Sequence, residues 1–421
     1  MPLGLSGGRK PALHGGTVLA FVGDYPQQIY VLMSVTDLCP VVIITHEFFP
    51  KRGGIATFTE EIAQAAASVG HQVEVWAQRA EPTDEKAWPF IVRRMPISGT
   101  HNLLCRLKAI SWLIRERRRL RHTLVYFPEP GPMLALMTLL PVRSFLPRRL
   151  VLTFHGSEVL RFHADPATRW FTRRLIRHAF RISTLTRHVQ NLLCQRFPEA
   201  TAKTVLSPGA LRAGFAATPP ENKTPSDARP LVVLTVGRLH PRKGQLLTLK
   251  ALQALPPDLA ARTEYWIAGS TSKSRYERIL RETAAIPGLT VRFLGDLPDD
   301  ELDRVYTRAD VFALTSIDHG HSVEGFGLVY LEASAHGLPV VAHRVGGVAE
   351  AVVEGETGFL IAPDQPAALT EAFRRLLTDS TLRRRMGEAG RTWARSTTWE
   401  HAAVELFQPK HTTSGSLASS A

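Results

Sequence analysis

Cysteine is scarce: three in 421 residues, Cys39, Cys105 and Cys194, far apart and without a CxxC pair. That spacing argues against a disulfide framework or a cysteine-held zinc site, and it fits a reducing compartment. Long apolar runs are missing as well. None reaches the roughly 18 residues that span a bilayer. The early run "TVLAFVG" is short, and Asp24 and Pro26 follow it closely, so it makes a poor signal peptide. No repeat is visible at residue level, and the glycine pair of the first loop forms no GxGxxG. Charged residues make up 21%, an ordinary globular share that argues against general disorder.

Positive charge is plentiful. The net charge is +13, and much of the excess lies in "RLKAISWLIRERRRLRH" (106–122) and "RWFTRRLIRHAFR" (169–181). Such a balance suits an anionic partner, whether membrane surface, nucleic acid or phosphorylated substrate; the plainer reading is a solvated basic helix face. A helix over 103–121 would carry the apolar stripe Leu103, Leu107, Ile110 and Ile114 beside its arginines. Core packing explains such a stripe, and so does contact with an anionic lipid surface.

Short β-rich runs alternate with helical patterns, the signature of a parallel α/β architecture. Strands are expected at 40–45, 71–77, 123–127, 149–154 and 181–185 in the first half. In the second half they are expected at 231–236, 264–268, 290–294, 310–314, 339–342 and 358–362. The division is a disordered extension over 1–34, with Met33 as an alternative start, then an N-terminal Rossmann-like domain over 35–210. A Pro- and Ala-rich linker follows over 211–230, then a C-terminal Rossmann-like domain over 231–396. A last helix spans 397–407, and 408–421 is a disordered tail.

Ligands of doubly wound sheets bind beyond the carboxyl ends of the strands, so the loops after strands are the place for chemistry. The first, "THEFFPKRGGIATF" (45–58), has Gly53 and Gly54 at a helix start, where bare amides attract anions. The second, "TFHGSEV" (153–159), offers His155 beside Gly156. The third, "VGRLHPRKGQ" (236–245), has Arg238 and Lys243, a planar fork and a point charge that could meet on one phosphate. Each has a bland alternative: a flexible turn, a structural histidine, a pair of solvated cations.

The fourth, "VEGFGLVYLEASAHGLPVVA" (323–342), poses a sharper question. Gly325 and Gly327 lead into a helix from Leu328 to His336, in which Glu332 stands among apolar residues. A buried, unpaired carboxylate costs several kcal/mol, so Glu332 needs a partner. Two ribose hydroxyls would serve; so would Arg344 or a backbone amide. Glu324, eight residues earlier, is expected in the loop, free to face a ligand.

Together, "EGFGLVYLE" with its E-x7-E spacing, "GR…RKG", "TFHGSEV" and the "GGI" loop resemble the retaining glycosyltransferases of family 4. The resemblance runs from Val41 to Phe407. It is strongest toward phosphatidylinositol mannosyltransferases and related lipid- or polysaccharide-directed enzymes. It implies a GT-B fold, two Rossmann-like domains across a cleft, with the last helix crossing back to the N-terminal domain. It implies that Glu332 holds the donor ribose and Glu324 the donor sugar near C3. Amides from Gly325, Phe326, Gly327 and Leu328 would hold sugar hydroxyls and phosphate. Arg238, Lys243 and the Gly53–Gly54 amides would neutralise the diphosphate, His155 would touch the sugar, and the backbone near Gly295–Leu297 would read the base. No metal and no cofactor are implied. GDP-mannose is the first expectation for the donor and a UDP-hexose the second, with a lipid-linked or glycan acceptor. The expected location is cytoplasmic, peripheral on the inner face of the membrane, without nucleic acid. His319 and His321 lie outside the family pattern, as does the N-terminal extension. A nucleotide-sugar 2-epimerase and a non-catalytic nucleotide-sugar-binding protein stand as alternatives.

Overall fold

A computed structural model describes residues 17–19, 32–34, 38–81, 86–99, 102–212, 214–215, 229–271 and 274–408. Within the expected extension, β1 (Thr17–Leu19) and β2 (Leu32–Ser34) pair antiparallel, so these six residues are strand where irregular chain was expected. The rest of 1–34, the centre of the linker and the tail from 409 lie outside the described residues.

The N-terminal sheet contains β3 (Val41–Ile44), β4 (Val73–Ala77), β5 (Ile91–Arg94), β6 (Leu124–Phe127), β7 (Arg149–Phe154), β8 (Arg181–Thr184) and β9 (Thr204–Leu206). All are parallel, in the order β5-β4-β3-β6-β7-β8-β9. Helices cover both faces, which is why β3 and β6 are apolar throughout and fully buried. β5 and β9 were not expected from the sequence. β5 is a four-residue edge strand, half of it exposed, and β9 has only three residues.

The second sheet holds β10 (Leu231–Val236), β11 (Thr263–Ala268), β12 (Thr290–Gly295), β13 (Val311–Leu314), β14 (Val340–His343) and β15 (Gly358–Ile361). Its order is β12-β11-β10-β13-β14-β15, again all parallel. Chain order reverses between β3 and β6 in one sheet and between β10 and β13 in the other. The loops after these strands therefore open at the crevice where doubly wound sheets bind ligands.

The two halves are tied by the last helix, Trp399–Phe407, capped by the Thr398 hydroxyl. It packs on the helix Gly54–Ser68 of the first half, with Trp399 edge-on to Phe58 at 5.5 Å and Phe407 edge-on to Tyr126 at 5.3 Å. Trp399 Nε1 also donates to the Leu211 carbonyl at 2.9 Å. The start of the expected linker is therefore packed structure. Arg212 is an ion-pair partner of Asp299, and Phe215 meets Tyr306 edge-on at 5.8 Å.

The basic helix is Leu103–Arg115, and its expected stripe divides. Ile110 and Ile114 pack on the core, whereas Leu103, Leu104 and Leu107 are 68%, 68% and 53% exposed. Among the described residues, no helix is long and apolar enough to cross a membrane.

Trp399→Ala should cost about 3–5 kcal/mol of stability, the range for truncating a buried tryptophan. Urea titration followed by circular dichroism measures it, and a loss below about 1 kcal/mol would mean the crossover contact is dispensable.

Candidate active site

The loop after β10 is compact because its glycines allow it. Gly244 has φ 70°, and a Cβ there would lie 1.9 Å from the Thr315 carbonyl oxygen. This close approach lets the turn Pro241–Lys243 project two cations toward the loop after β13. The Ile317 amide donates to the Arg242 carbonyl at 2.8 Å and locks the two loops together.

Glu324 is where they meet. Its Oε2 accepts from Lys243 Nζ at 2.8 Å, from Ser316 Oγ at 2.9 Å and from the Arg242 guanidinium. The carboxylate is only 5% exposed, so it is not free in its loop as expected. Burial raises its pKa, but Lys243 and Arg242, with hydrogen bonds from Lys243 and Ser316, outweigh that and hold it at about 2. Burial pulls Lys243 below the ordinary lysine value, against the attraction of Glu324. Arg238 and Lys243 were expected to meet on one phosphate. Lys243 converges with Arg242 on Glu324, and Arg238 is exposed, near enough to add repulsion at Lys243. Arg242 was missed because nothing in "HPRKG" says that a one-turn helix aims both of its adjacent cations inward.

The N-terminal half closes over this loop. A Cβ on Gly325 would lie 2.3 Å from the His155 carbonyl oxygen, and one on Gly156 would lie 2.8 Å from Val323 Cγ2. Val323 N donates to Ser157 Oγ at 3.1 Å, and Thr186 Oγ1 donates to the Gly325 carbonyl at 3.1 Å. The helix Arg187–Arg196 adds another tie, since its Arg187 and His188 amides donate to the Glu350 carboxylate at 2.7 and 2.9 Å. His155 Nε2 is 2.7 Å from the Pro128 carbonyl, an acceptor only, so Nε2 carries a proton and donates it there.

Two of the helix N-termini that lack a side-chain cap open toward these loops. One is the helix Gly54–Ser68, where a Cβ on Gly53 or Gly54 would meet nothing within 4 Å. The other is the helix Leu328–Ala335, entered through Gly327 at φ 82°; a Cβ there would lie 2.6 Å from Tyr330. It ends one residue before the expected His336, which serves as C-cap. Phe326 and Leu328 are buried against Gly209, so only their backbones remain for a ligand. The glycine loop and the expected base-reading backbone are joined, because Arg52 Nη1 donates to the Leu297 carbonyl at 2.6 Å.

Glu332 has its own partners. The Tyr306 hydroxyl donates to Oε2 at 3.0 Å, and Arg212 Nε lies 3.2 Å from Oε1. Burial and the nearby Glu332 push Tyr306 well above its ordinary pKa, so the phenol stays a donor. Arg344, the partner considered from sequence, pairs with Glu354 instead. His319 and His321 are exposed; the His319 ring meets His240 edge-on at 5.7 Å.

This arrangement has counterparts. Residues 220–393 match the family model Glycosyl transferases group 1, and residues 52–210 match Glycosyltransferase Family 4. The chain is 32% identical over 368 residues to a GDP-mannose-dependent alpha-(1-6)-phosphatidylinositol monomannoside mannosyltransferase of Mycolicibacterium smegmatis, covering 84% of this chain and 93% of that protein. Among solved structures it is similar to sucrose-phosphate synthase from Thermosynechococcus elongatus (TM-score 0.69, 21% identity, 87% of this chain and 96% of that one). It is also similar to Anabaena Alr3699/HepE in complex with UDP and glucose (TM-score 0.68, 19% identity, 87% and 97%). The domain matches are to transferases, which sets aside the 2-epimerase alternative.

Glu324→Gln should lower stability at pH 7 by about 3 kcal/mol, from a carboxylate pKa of 4.5 unfolded and about 2 folded. A depressed folded pKa stabilises above the unfolded value and is lost as pH falls toward the folded one. Thermal melts of both proteins from pH 7 to 2 should therefore differ fully above about pH 4.5 and converge as pH approaches about 2. Parallel curves would contradict the pairing.

Proposed function

The chain belongs to the glycosyltransferases with the group 1 domain and the GT-B fold, and from that premise we propose that it is a retaining family 4 mannosyltransferase. Its donor would be GDP-mannose and its acceptor a hydroxyl of a lipid-linked glycan or phosphoinositide. The observation that carries this reading is the pair of cations, Arg242 and Lys243, on a single buried carboxylate, Glu324, in a loop that the N-terminal half covers. A relative with a GDP-mannose-dependent, lipid-directed name, matched over most of both chains, supports donor and acceptor.

In this reading negative charge grows on the departing diphosphate. Lys243, Arg238 and Arg242 stabilise it together with the bare amides at Gly54 and Leu328, and fixed charges need no reorganisation as the bond breaks. Glu324 is held ionised and still, so that it can receive hydroxyls of the donor sugar. Retention by double displacement would require a carboxylate nucleophile at the anomeric carbon. Glu324 Oε2 already accepts three donors, which makes it a poor nucleophile. The acceptor hydroxyl instead attacks C1 from the face that the phosphate leaves. The C1–O bond to phosphate breaks, and the proton passes to the departing phosphate oxygen. Glu332 holds the ribose, His155 faces the sugar, and the Leu297 backbone reads the base. The exposed Leu103, Leu104 and Leu107 beside Lys108, Arg115 and Arg118 support peripheral attachment to an anionic membrane surface, in this reading the inner face.

Incubation with GDP-mannose and a phosphatidylinositol mannoside should give an α-linked product by proton NMR. Lys243→Ala should lower kcat/KM by about 10²–10³ with unchanged circular dichroism. A β-linked product, or near-normal turnover in that variant, would overturn the assignment. Sedimentation with anionic vesicles should fall at least about tenfold between 50 and 500 mM salt. Equal binding at both salt concentrations would remove the electrostatic attachment.

A further inference from the structure

Arg212 carries a feature that neither packing nor charge pairing explains. It comes from the segment joining the two halves, and its side chain is only 15% exposed. Its Nη1 donates to Asp299 Oδ2 at 3.1 Å, and the guanidinium lies 4.3 Å above the Phe215 ring. These two contacts fix its orientation. The third edge of the guanidinium faces the second glutamate of the E-x7-E pair, with Nε 3.2 Å from Glu332 Oε1. The distance is that of an ion pair, yet the Nε–H is buried and makes no hydrogen bond. A buried donor left this way is costly, so native proteins seldom leave one without a reason.

A hydroxyl group satisfies both sides of this pair. A carboxylate only accepts and a guanidinium only donates, whereas a hydroxyl does both. Glu332 Oε2 is engaged by the Tyr306 phenol. Oε1 and the adjacent Arg212 Nε–H are left as an acceptor and a donor side by side. A hydroxyl seated against them donates to Oε1 and accepts from Nε–H.

We propose that Arg212 is a donor-binding residue, contacting with Glu332 a ribose hydroxyl of the nucleotide. This inference rests on the reading above in which Glu332 holds the ribose, and it adds a residue from outside both sheets. Leu211, next in the chain, accepts the hydrogen bond from Trp399 of the crossover helix.

Calorimetric titration of the full chain with GDP and with 2′,3′-dideoxy-GDP tests this, with the UDP pair run alongside. Wild type should prefer the ribose form by roughly 10–100-fold, the range for hydrogen bonds to charged groups. Arg212→Ala should bind the ribose nucleotide about tenfold more weakly and cut its preference to below about threefold. Arg212→Lys keeps the charge beside Asp299 and Glu332 but loses the Nε–H, so it should fold as wild type and also lose most of the preference. Equal weakening toward both nucleotides in the two variants, with preference intact, would overturn the role of Arg212 and leave that of Glu332 standing. Preference intact in Glu332→Gln would overturn the ribose reading and the inference with it. So would a wild type with no preference, or one that binds neither nucleotide.

Discussion

A carboxylate that is 5% exposed and ionised must be surrounded by donors, and Glu324 collects Lys243, Arg242 and Ser316 on one oxygen. Most of the cleft can be traced to that requirement. The two cations reach it only because Gly244 lets the loop after β10 lie against the Thr315 carbonyl. The loop bearing Glu324 stays in place because His155, Ser157 and Thr186 of the other half press on Val323 and Gly325. Breaking a buried pair of this kind by removing one partner costs more than the pair is worth, because the remaining charge is stranded. The network is therefore a poor site for neutral drift and a good one for fixed electrostatics.

The same logic explains why the halves meet where they do. Glu350 places its carboxylate on the bare amides of the helix Arg187–Arg196, a charge-to-dipole contact across the domain boundary. Arg52 reaches from the glycine loop to the Leu297 carbonyl, and the last helix returns to pack on Gly54–Ser68. The contacts at Leu297, at Glu350 and at the last helix are thus made by different residues.

The sequence made the architecture legible because parallel strands covered on both faces read as plain apolar runs: "PVVIIT" and "LVVLTV" allow little else. Strands β5 and β9 escaped notice because edge strands of three or four residues carry no such run. Site positions were legible where glycine marked them. Gly325 and Gly327 are needed for contacts that a Cβ would block. What could not be read was pairing. Glu324, expected to be free, meets Arg242 and Lys243, and Arg212 rather than Arg344 meets Glu332. Partners 82 and 120 residues apart leave no local pattern, and all arginines look alike in one dimension. The linker misled for a related reason, since polar composition hid the anchoring of Leu211, Arg212 and Phe215.

The central claim is that one ligand engages the loops of both halves at once. Hydrogen–deuterium exchange with and without GDP-mannose measures this directly. The account predicts joint protection of the peptides covering 52–56, 237–245 and 323–329, lost together in Lys243→Ala. Protection confined to one half, or surviving in that variant, would contradict it.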